Sequence, residues 1–144
     1  MPAIDVVSDA NIALKWFLDA DDEEETQSAR QLLQLHRDRH VLLHVLDLTF
    51  YEVGNALLRG RARASADQTA AVTSALREIC VIISPTADEL AKACLLAAEN
   101  ELTLYDAAYA AVAIERQFRL VTLDRALLSA GLGVTPGGLV RDLP

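Results

Sequence analysis

The chain has 144 residues, and its 13 lysines and arginines against 21 aspartates and glutamates give a formal net charge of −8. Hydrophobic residues make up 52% and charged residues 24%, which excludes intrinsic disorder and is typical of one globular domain over residues 1–144. No apolar run approaches the roughly 20 residues of a membrane-spanning helix, and the N-terminus lacks the basic stretch of a secretory signal. Cys80 and Cys94 each lie in an apolar run and are predicted to be core residues of a cytoplasmic protein.

Short apolar runs alternate with helical patterns along the chain. We predict strands at residues 4–8, 41–45, 81–83 and 120–123, with a last edge strand at 139–140. In chain order, the predicted helices cover residues 10–18, 23–37, 50–61, 66–78, 87–100, 105–115 and 125–130. This alternation indicates the α/β class, with a central parallel sheet covered by helices on both faces, and a doubly wound strand order is the best prediction.

Four acidic residues stand directly after predicted strands or near the starts of predicted helices: Asp9, Glu52, Asp106 and Asp124. In a parallel α/β sheet the carboxyl ends of the strands and the amino ends of the helices share one edge, where such folds bind ligands. We therefore expect the four carboxylates to lie near one another. Close carboxylates raise one another's pKa, and a divalent cation relieves their repulsion. Because the ligands would be oxygen atoms alone, Mg²⁺ or Mn²⁺ is favoured over Zn²⁺.

Taken one at a time, these acids also fit a structural role as helix caps. Asp9 and Asp124 stand at N-cap positions, and Thr49 and Thr103 each precede a site acid by three residues, which is the spacing of a capping box. Capping alone does not explain why the acids are set in apolar sequence, since an ionised group in buried surroundings requires a partner. The joint pattern therefore favours a metal site over four independent caps.

Net acidity does not exclude a nucleic-acid partner, because the acids are unevenly distributed. Six of them lie in the run 19–25, which we predict to be a solvated loop leading into a helix. Setting aside that run and the four site acids leaves 11 acids against 13 bases. Three arginines at the end of one predicted helix, Arg59, Arg61 and Arg63, either complement its negative end or bind a phosphate backbone, and the sequence leaves both open.

Four segments resemble, in order, the four motifs of the PIN-domain family, and within it the VapC-type toxins of bacterial and archaeal toxin–antitoxin pairs. They are SDANIALKWF (8–17), YEVGNAL (51–57), LYDAAYAAVA (104–113) and LVTLDRAL (120–127). The resemblance spans nearly the whole chain and implies a three-layer α/β/α sandwich. It also implies a Mg²⁺- or Mn²⁺-dependent endoribonuclease whose catalytic residues and metal ligands are the four acids. One departure is Asp47-Leu48-Thr49, where relatives often carry a proline, which puts the local turn in doubt.

The resemblance and the chemistry of phosphodiester hydrolysis together suggest a role for each residue. We expect Asp9 to be the central metal ligand, because it ends the first strand, with Asp106 and Asp124 completing the inner ligand set. Glu52, on a longer side chain, would ligate through water or orient the attacking water. The Thr122 hydroxyl matches a position that supports the site in this family. Two asparagines, Asn11 and Asn55, either hydrogen-bond the carboxylates or the phosphate, or are ordinary polar helix residues.

The implied partners are an RNA substrate, a cognate antitoxin and a second copy of the chain in a homodimer, with no membrane. Alternatives are a PIN nuclease that is not a toxin and a catalytically silent PIN-like binding module. A haloacid-dehalogenase-type phosphatase would need an aspartate two residues after Asp9, where Asn11 stands. Three histidines spaced by four, His36, His40 and His44, are interpreted as a polar helix end rather than a zinc site, because the chain turns into a strand before His44.

Overall fold

The computed structural model describes residues 2–18 and 25–144, and a four-stranded parallel sheet runs through its centre. The strands are β1 (Ile4–Ser8), β2 (Val41–Leu46), β3 (Val81–Ile83) and β4 (Arg119–Val121). Their order is β3-β2-β1-β4, and all three pairings are parallel. The strands therefore proceed outward from β1 in both directions and end at one common edge, which confirms the predicted α/β class and a strand order of the doubly wound type.

Helices cover both faces of the sheet. In chain order they are α1 (Ala10–Lys15), α2 (Thr26–Arg37), α3 (Asp47–Arg59), α4 (Ala66–Ile79), α5 (Ala87–Asn100), α6 (Leu104–Arg116), α7 (Arg125–Ser129) and α8 (Pro136–Asp142). Adjacent β1 residues face opposite sides, as the two-residue period of a strand requires. Val6 enters the core formed with α1–α4 and α8, whereas Val7 enters the core formed with α5–α7. The result is the three-layer sandwich that the sequence predicts.

Helix α6 packs closely because its buried face is made mostly of alanine. Seven consecutive residues, 107–113, are buried, and Tyr109 is the one large side chain that is fully inaccessible among them. Small side chains let this helix approach both the sheet and α5. An ion pair fastens α6 to α5, with Arg116 Nε 2.8 Å from Glu89 Oε2 and Arg116 Nη2 3.0 Å from Glu89 Oε1.

Two predictions about packing are wrong. Residues 139–140 belong to α8 rather than to an edge strand, because Pro136 begins a helix that the Thr135 hydroxyl caps by accepting from the Gly138 N–H. Cys94 is exposed rather than buried, since α5 turns Ala93 and other residues toward the core. Cys80 is buried, as predicted.

The three spaced histidines take separate structural positions. His36 Nε2 lies 2.7 Å from the Ile79 carbonyl oxygen, and the chain then enters β2 before His44, as predicted. His44 Nε2 lies 2.9 Å from Asp5 Oδ1, and its ring stacks on Phe118 with ring centroids 4.7 Å apart. The His36 and His44 rings thus contact different groups, and His40 is exposed.

Most of the acidic run, residues 19–24, lies outside the described residues. Its last member, Glu25, immediately precedes α2 and accepts a 2.8 Å hydrogen bond from the Gly137 N–H at the start of α8. An anion is favourable there because the first turn of a helix presents unpaired N–H groups. Within the described ranges, no helix is long and apolar enough to cross a membrane.

Candidate active site

The sheet edge at which the strands end carries all four predicted acids. Asp9 directly follows β1 and is the N-cap of α1, and Asp124 follows β4 and is the N-cap of α7. Asp106 lies in the first turn of α6, where its backbone N–H donates to the hydroxyl of the N-cap Thr103 at 3.1 Å. The capping expected for these three positions is thus present together with their placement at one edge.

Glu52 lies one turn further into its helix than predicted. Helix α3 begins at Asp47 rather than at residue 50, so Asp47-Leu48-Thr49 is helical and the missing proline does not disrupt the approach to Glu52. Thr49 is therefore inside the helix and is not an N-cap residue. Its hydroxyl accepts a 3.0 Å hydrogen bond from the N–H of Leu46, the residue before the helix.

Asp9 is the most enclosed of the four acids, with 4% of its surface exposed. Its Oδ1 accepts a 2.7 Å hydrogen bond from the Ala10 N–H, and its Oδ2 accepts one of 2.7 Å from the Thr122 hydroxyl. Burial raises the pKa of Asp9 to about 7, and the negative charges of Glu52 and Asp106 act in the same direction. These two donors hold the carboxylate in position.

Thr122 and Asn11 join the ends of β1 and β4. The Thr122 hydroxyl accepts a 2.9 Å hydrogen bond from the Asp124 N–H while it donates to Asp9. Asn11 Oδ1 accepts a 3.3 Å hydrogen bond from the Leu123 N–H, so its described contact is with the backbone rather than with a carboxylate. Both side chains therefore position the segment that carries Asp124.

Glu52 is held by a chain of hydroxyl groups that the sequence analysis did not identify. The Tyr109 hydroxyl donates a 2.7 Å hydrogen bond to Glu52 Oε1 and lies 2.7 Å from Thr49 Oγ1. Because the single proton of the Tyr109 hydroxyl goes to Glu52, the Thr49 hydroxyl donates to Tyr109 while it accepts from the Leu46 N–H, so the donors run from Leu46 to Glu52 in one direction. One available signal was a tyrosine inside an alanine-rich buried helix, since a buried phenol requires a hydrogen-bond partner.

The four acids lie close enough together to influence one another electrostatically. Burial raises the pKa of Glu52, with Asp106 adding to the effect, and burial together with Asp124 raises the pKa of Asp106. Burial also raises the pKa of Tyr109, which the charges of Glu52 and Asp9 increase further. Such mutual repulsion is what a bound cation would relieve.

The donor chemistry fits Mg²⁺ or Mn²⁺ because every candidate ligand is a carboxylate oxygen. In residues 2–18 and 25–144, no three His, Cys, Asp or Glu side chains come close enough to share an ion directly. In proteins, Mg²⁺ usually retains several water ligands and is bound directly by only one or two carboxylates.

Beside the carboxylates lies an open cleft of about 490 Å³, lined by Leu48, Tyr51, Glu52, Asn55 and Tyr105. Asn55 is exposed there, so the structure places it near Glu52 on the wall of the cleft.

The arginine group lies at the far end of α3. Helix α3 ends at Arg59, and Arg61 and Arg63 follow it in the next segment; all three are exposed. Only Arg59 is therefore placed to complement the negative end of the helix.

Comparisons with known proteins identify the family. The PIN domain family model matches residues 6–131. Two relatives from Pyrobaculum aerophilum are similar to the chain. Exonuclease VapC9 is 39% identical over 101 residues, which cover 68% of this chain and 71% of the relative. Ribonuclease VapC3 is 33% identical over 109 residues, which cover 73% and 80%.

Solved structures show the same fold. The crystal structure of PAE2754 from Pyrobaculum aerophilum matches with a TM-score of 0.70 and 26% identity, covering 98% of this chain and 97% of that one. A chain of a toxin–antitoxin complex from Klebsiella pneumoniae matches with a TM-score of 0.67 and 22% identity, covering 91% and 97%. With a family model matched over most of its length and two VapC proteins among its relatives, the chain belongs to the PIN domain family.

Proposed function

We propose that this protein is a Mg²⁺- or Mn²⁺-dependent endoribonuclease and the toxin of a VapBC-type toxin–antitoxin pair. The observation that carries the proposal is the placement of Asp9, Glu52, Asp106 and Asp124 together at the edge where the parallel strands end, with Asp9 nearly buried there. The similarity to a ribonuclease named VapC3 supports RNA as the substrate class.

The chain's own residues would position the metal and the substrate. Asp9, Asp106 and Asp124 would hold the ion, directly or through its water ligands. When bound, such an ion lowers the pKa of a coordinated water and offsets negative charge on the phosphate oxygens. Glu52 uses Oε1 to accept from Tyr109, which leaves Oε2 to accept a hydrogen bond from the attacking water and so orient it. The Tyr109 contact fixes the direction of that carboxylate.

The decisive experiment compares cleavage by the wild-type chain and the Asp9→Asn variant. Each protein is incubated with structured and single-stranded RNAs in Mg²⁺, in Mn²⁺ and in EDTA. A matched control is Asp88→Asn, which removes one exposed carboxylate from the first turn of α5. We expect metal-dependent cleavage by the wild type and by Asp88→Asn, and none by Asp9→Asn. Equal cleavage by all three proteins would show that the acids are not the catalytic site.

The position of the cut needs its own assay because one of the relatives is named an exonuclease. A circular single-stranded RNA has no ends, so only an endonuclease linearises it. Linear product in Mg²⁺ supports the endonuclease proposal. If linear RNA is digested while the circle stays intact, the protein is an exonuclease and the endonuclease proposal is wrong.

A protein antitoxin and a homodimer form part of the same proposal. The Klebsiella pneumoniae neighbour is a toxin–antitoxin complex, and an edge bearing four carboxylates offers charge-assisted hydrogen bonds to an Arg or Lys of a partner. We expect the purified chain to have the mass of a dimer by light scattering, and its expression in the cytoplasm to arrest growth in a manner that requires Asp9. Nuclease activity without growth arrest would indicate a PIN nuclease that is not a toxin.

One observation favours the alternative of a catalytically silent binding module. Among the described side chains, no three potential ligands are already close enough to chelate one ion. A module of that kind would bind RNA equally well with or without Mg²⁺, and neither the wild type nor Asp9→Asn would cleave it.

A further inference from the structure

We propose that the cleft beside the carboxylates binds an unstacked nucleobase between Tyr51 and Tyr105, and that the bound strand continues past Tyr51 to a phosphate contact at Arg77. This inference rests on the proposed action on RNA and adds a binding track for single-stranded substrate. The track would set where a strand lies relative to the scissile bond.

Both tyrosines are largely exposed to solvent, which is unusual for large aromatic side chains. Tyr51 is 77% exposed and Tyr105 is 65% exposed. Each stands immediately before a site acid, Glu52 and Asp106 respectively, and both tyrosines line the cleft that Glu52 also lines. They line the cleft of about 490 Å³, a volume within the range of small-molecule sites.

The lining of this cleft suits a nucleobase. Aromatic rings stack on bases of any sequence, and the neighbouring Leu48 adds apolar surface. The amide of Asn55 offers both donors and an acceptor to the edge of a base. Glu52 lines the same cleft and also belongs to the carboxylate group, so a base held there is next to the site of chemistry.

A second cleft continues from Tyr51 in the direction of α4. It has a volume of about 300 Å³ and is lined by Phe50, Tyr51, Thr73, Ser74 and Arg77. Tyr51 therefore separates two adjoining clefts. One is walled by aromatic and amide groups, and the other carries a cation.

Arg77 has the properties of a phosphate contact. Its guanidinium carbon lies 4.7 Å from the centroid of the Phe50 ring, which holds the planar group against an aromatic face. Arg77 is exposed, and among the described residues no carboxylate forms an ion pair with it. The exposed Ser74 hydroxyl supplies a neighbouring donor. If Arg77 binds a phosphate of the strand in the second cleft, a neighbouring base can lie in the first cleft, on the other side of Tyr51.

A protein could cover the same surface, because Leu58 is also exposed on α3. Two features favour a nucleic-acid strand. The first cleft is continuous with the carboxylate group, and the second is polar and cationic. An interface between copies of the chain would instead be expected to bury the apolar side chains of α3 together, including Leu58.

The test measures binding of a fluorescein-labelled, mixed-sequence single-stranded RNA by anisotropy, with every protein carrying Asp9→Asn to prevent cleavage. We expect Tyr51→Ala to weaken binding roughly tenfold or more, whereas Tyr51→Phe retains it because the ring is kept. Binding of a fully paired RNA duplex should not respond to Tyr51→Ala. Arg77→Gln should reduce the dependence of log K on log salt by about 0.7, the value for one phosphate on a single strand.

Three controls make the result specific. Arg77→Lys should keep the salt dependence, and Arg141→Gln, which removes an exposed cation from α8, should leave it unchanged. Leu58→Ala should leave RNA binding unchanged. Thermal unfolding should be the same for Tyr51→Ala and its parent, because the side chain is mostly exposed.

The outcomes separate this inference from the proposed function. If Tyr51→Ala binds RNA as well as its parent and the wild type cleaves RNA with metal, the cleft does not bind a nucleobase. The proposed nuclease function is then retained. Binding that depends on Tyr51 and Arg77, without any cleavage by the wild type, would support the track and reject the nuclease. Equal loss of binding in Tyr51→Ala and Leu58→Ala, with a change from dimer to monomer, would overturn the track and assign this face to a second copy.

Discussion

The hydroxyl of Thr122 donates a 2.7 Å hydrogen bond to Asp9 Oδ2, and it accepts a 2.9 Å hydrogen bond from the Asp124 N–H. One side-chain oxygen thus joins two of the four acids across neighbouring strands. Gly133 makes room for this threonine, since a Cβ at that position would lie 2.7 Å from Thr122 Cγ2. The threonine is fully buried, so its rotamer is set by packing as well as by hydrogen bonds.

Replacing Thr122 with valine tests this arrangement because it removes the hydroxyl and nearly preserves the side-chain shape. We expect cleavage to fall about 10- to 100-fold, the usual effect of losing a group that orients a metal ligand. The Thr122 hydrogen bond lowers the pKa of Asp9, so its loss should shift the pH–rate profile to higher pH. Thr122→Ser keeps the hydroxyl and should retain most activity. Equal defects in both variants, without a pH shift, would assign Thr122 a packing role alone.

Replacing Tyr109 with phenylalanine removes the donor to Glu52 Oε1 while keeping the buried ring. We expect cleavage to fall about 10- to 100-fold, because Glu52 loses its fixed direction. The control is Ser129→Ala, which removes an exposed hydroxyl at the end of α7 and should leave the rate nearly unchanged. Full activity in Tyr109→Phe would mean that Glu52 does not need this hydrogen bond for catalysis.

The raised pKa of Asp9 predicts a dependence of stability on pH. Its pKa is about 7 in the folded chain, against 3.8 ordinarily. Below about pH 4 the group is protonated in both the folded and the unfolded chain, and no penalty arises. As the pH rises toward 7 the folded state is increasingly destabilised, by up to about 4 kcal/mol above pH 7. Asp9→Asn does not ionise, so we expect it to be more stable than the wild type at pH 8 in EDTA.

Urea unfolding at pH 4, 6 and 8 checks this expectation. The difference in free energy of unfolding between Asp9→Asn and the wild type should grow across that range. Asp88→Asn, at an exposed position, should show no such trend. A difference that stays constant with pH would show that Asp9 does not carry the charge penalty.

Mg²⁺ should stabilise the folded wild-type chain because it would bind carboxylates that repel one another. At a concentration of 100 times its dissociation constant, a ligand that binds only the folded state adds about 2.7 kcal/mol. We expect the rise in melting temperature to be larger at pH 8 than at pH 5, since the carboxylates must be ionised to bind the cation. The rise should be much smaller in Asp9→Asn. An equal rise in both proteins would place the binding ion elsewhere.

Much of the fold was predictable because strand ends and helix starts have recognisable local sequence patterns. Apolar runs followed by an acid located β1 with Asp9 and β4 with Asp124, and the parallel sheet then brought their ends to one edge. The start of α3 was misplaced because its N-cap residue, Leu46, has no capping side chain. The first turn is closed instead by the Leu46 N–H, which donates to the Thr49 hydroxyl.

Other features depended on contacts between residues distant in the chain. Tyr109 and Glu52 are separated by 57 positions, and only the folded chain brings the phenol of α6 to the carboxylate of α3. Glu25 and Gly137 meet across 112 positions, and their hydrogen bond anchors the start of α8 to the start of α2. Periodicity reports which side chains are apolar, but it does not reveal such pairings.

The ion pair between Glu89 and Arg116 predicts a loss of stability in acid. The hydrogen bonds from Arg116 are the main reason that the pKa of Glu89 is lowered to about 2, and Glu89 Oε1 also accepts from the Thr86 N–H. This stabilisation is therefore complete above about pH 4.5 and is lost as the pH falls toward 2. We expect Glu89→Gln to lower the free energy of unfolding by about 1–3 kcal/mol at pH 7, with little difference at pH 2. Glu99→Gln, at an exposed position of α5, should have little effect, and an equal loss in both variants would contradict a specific role for the pair.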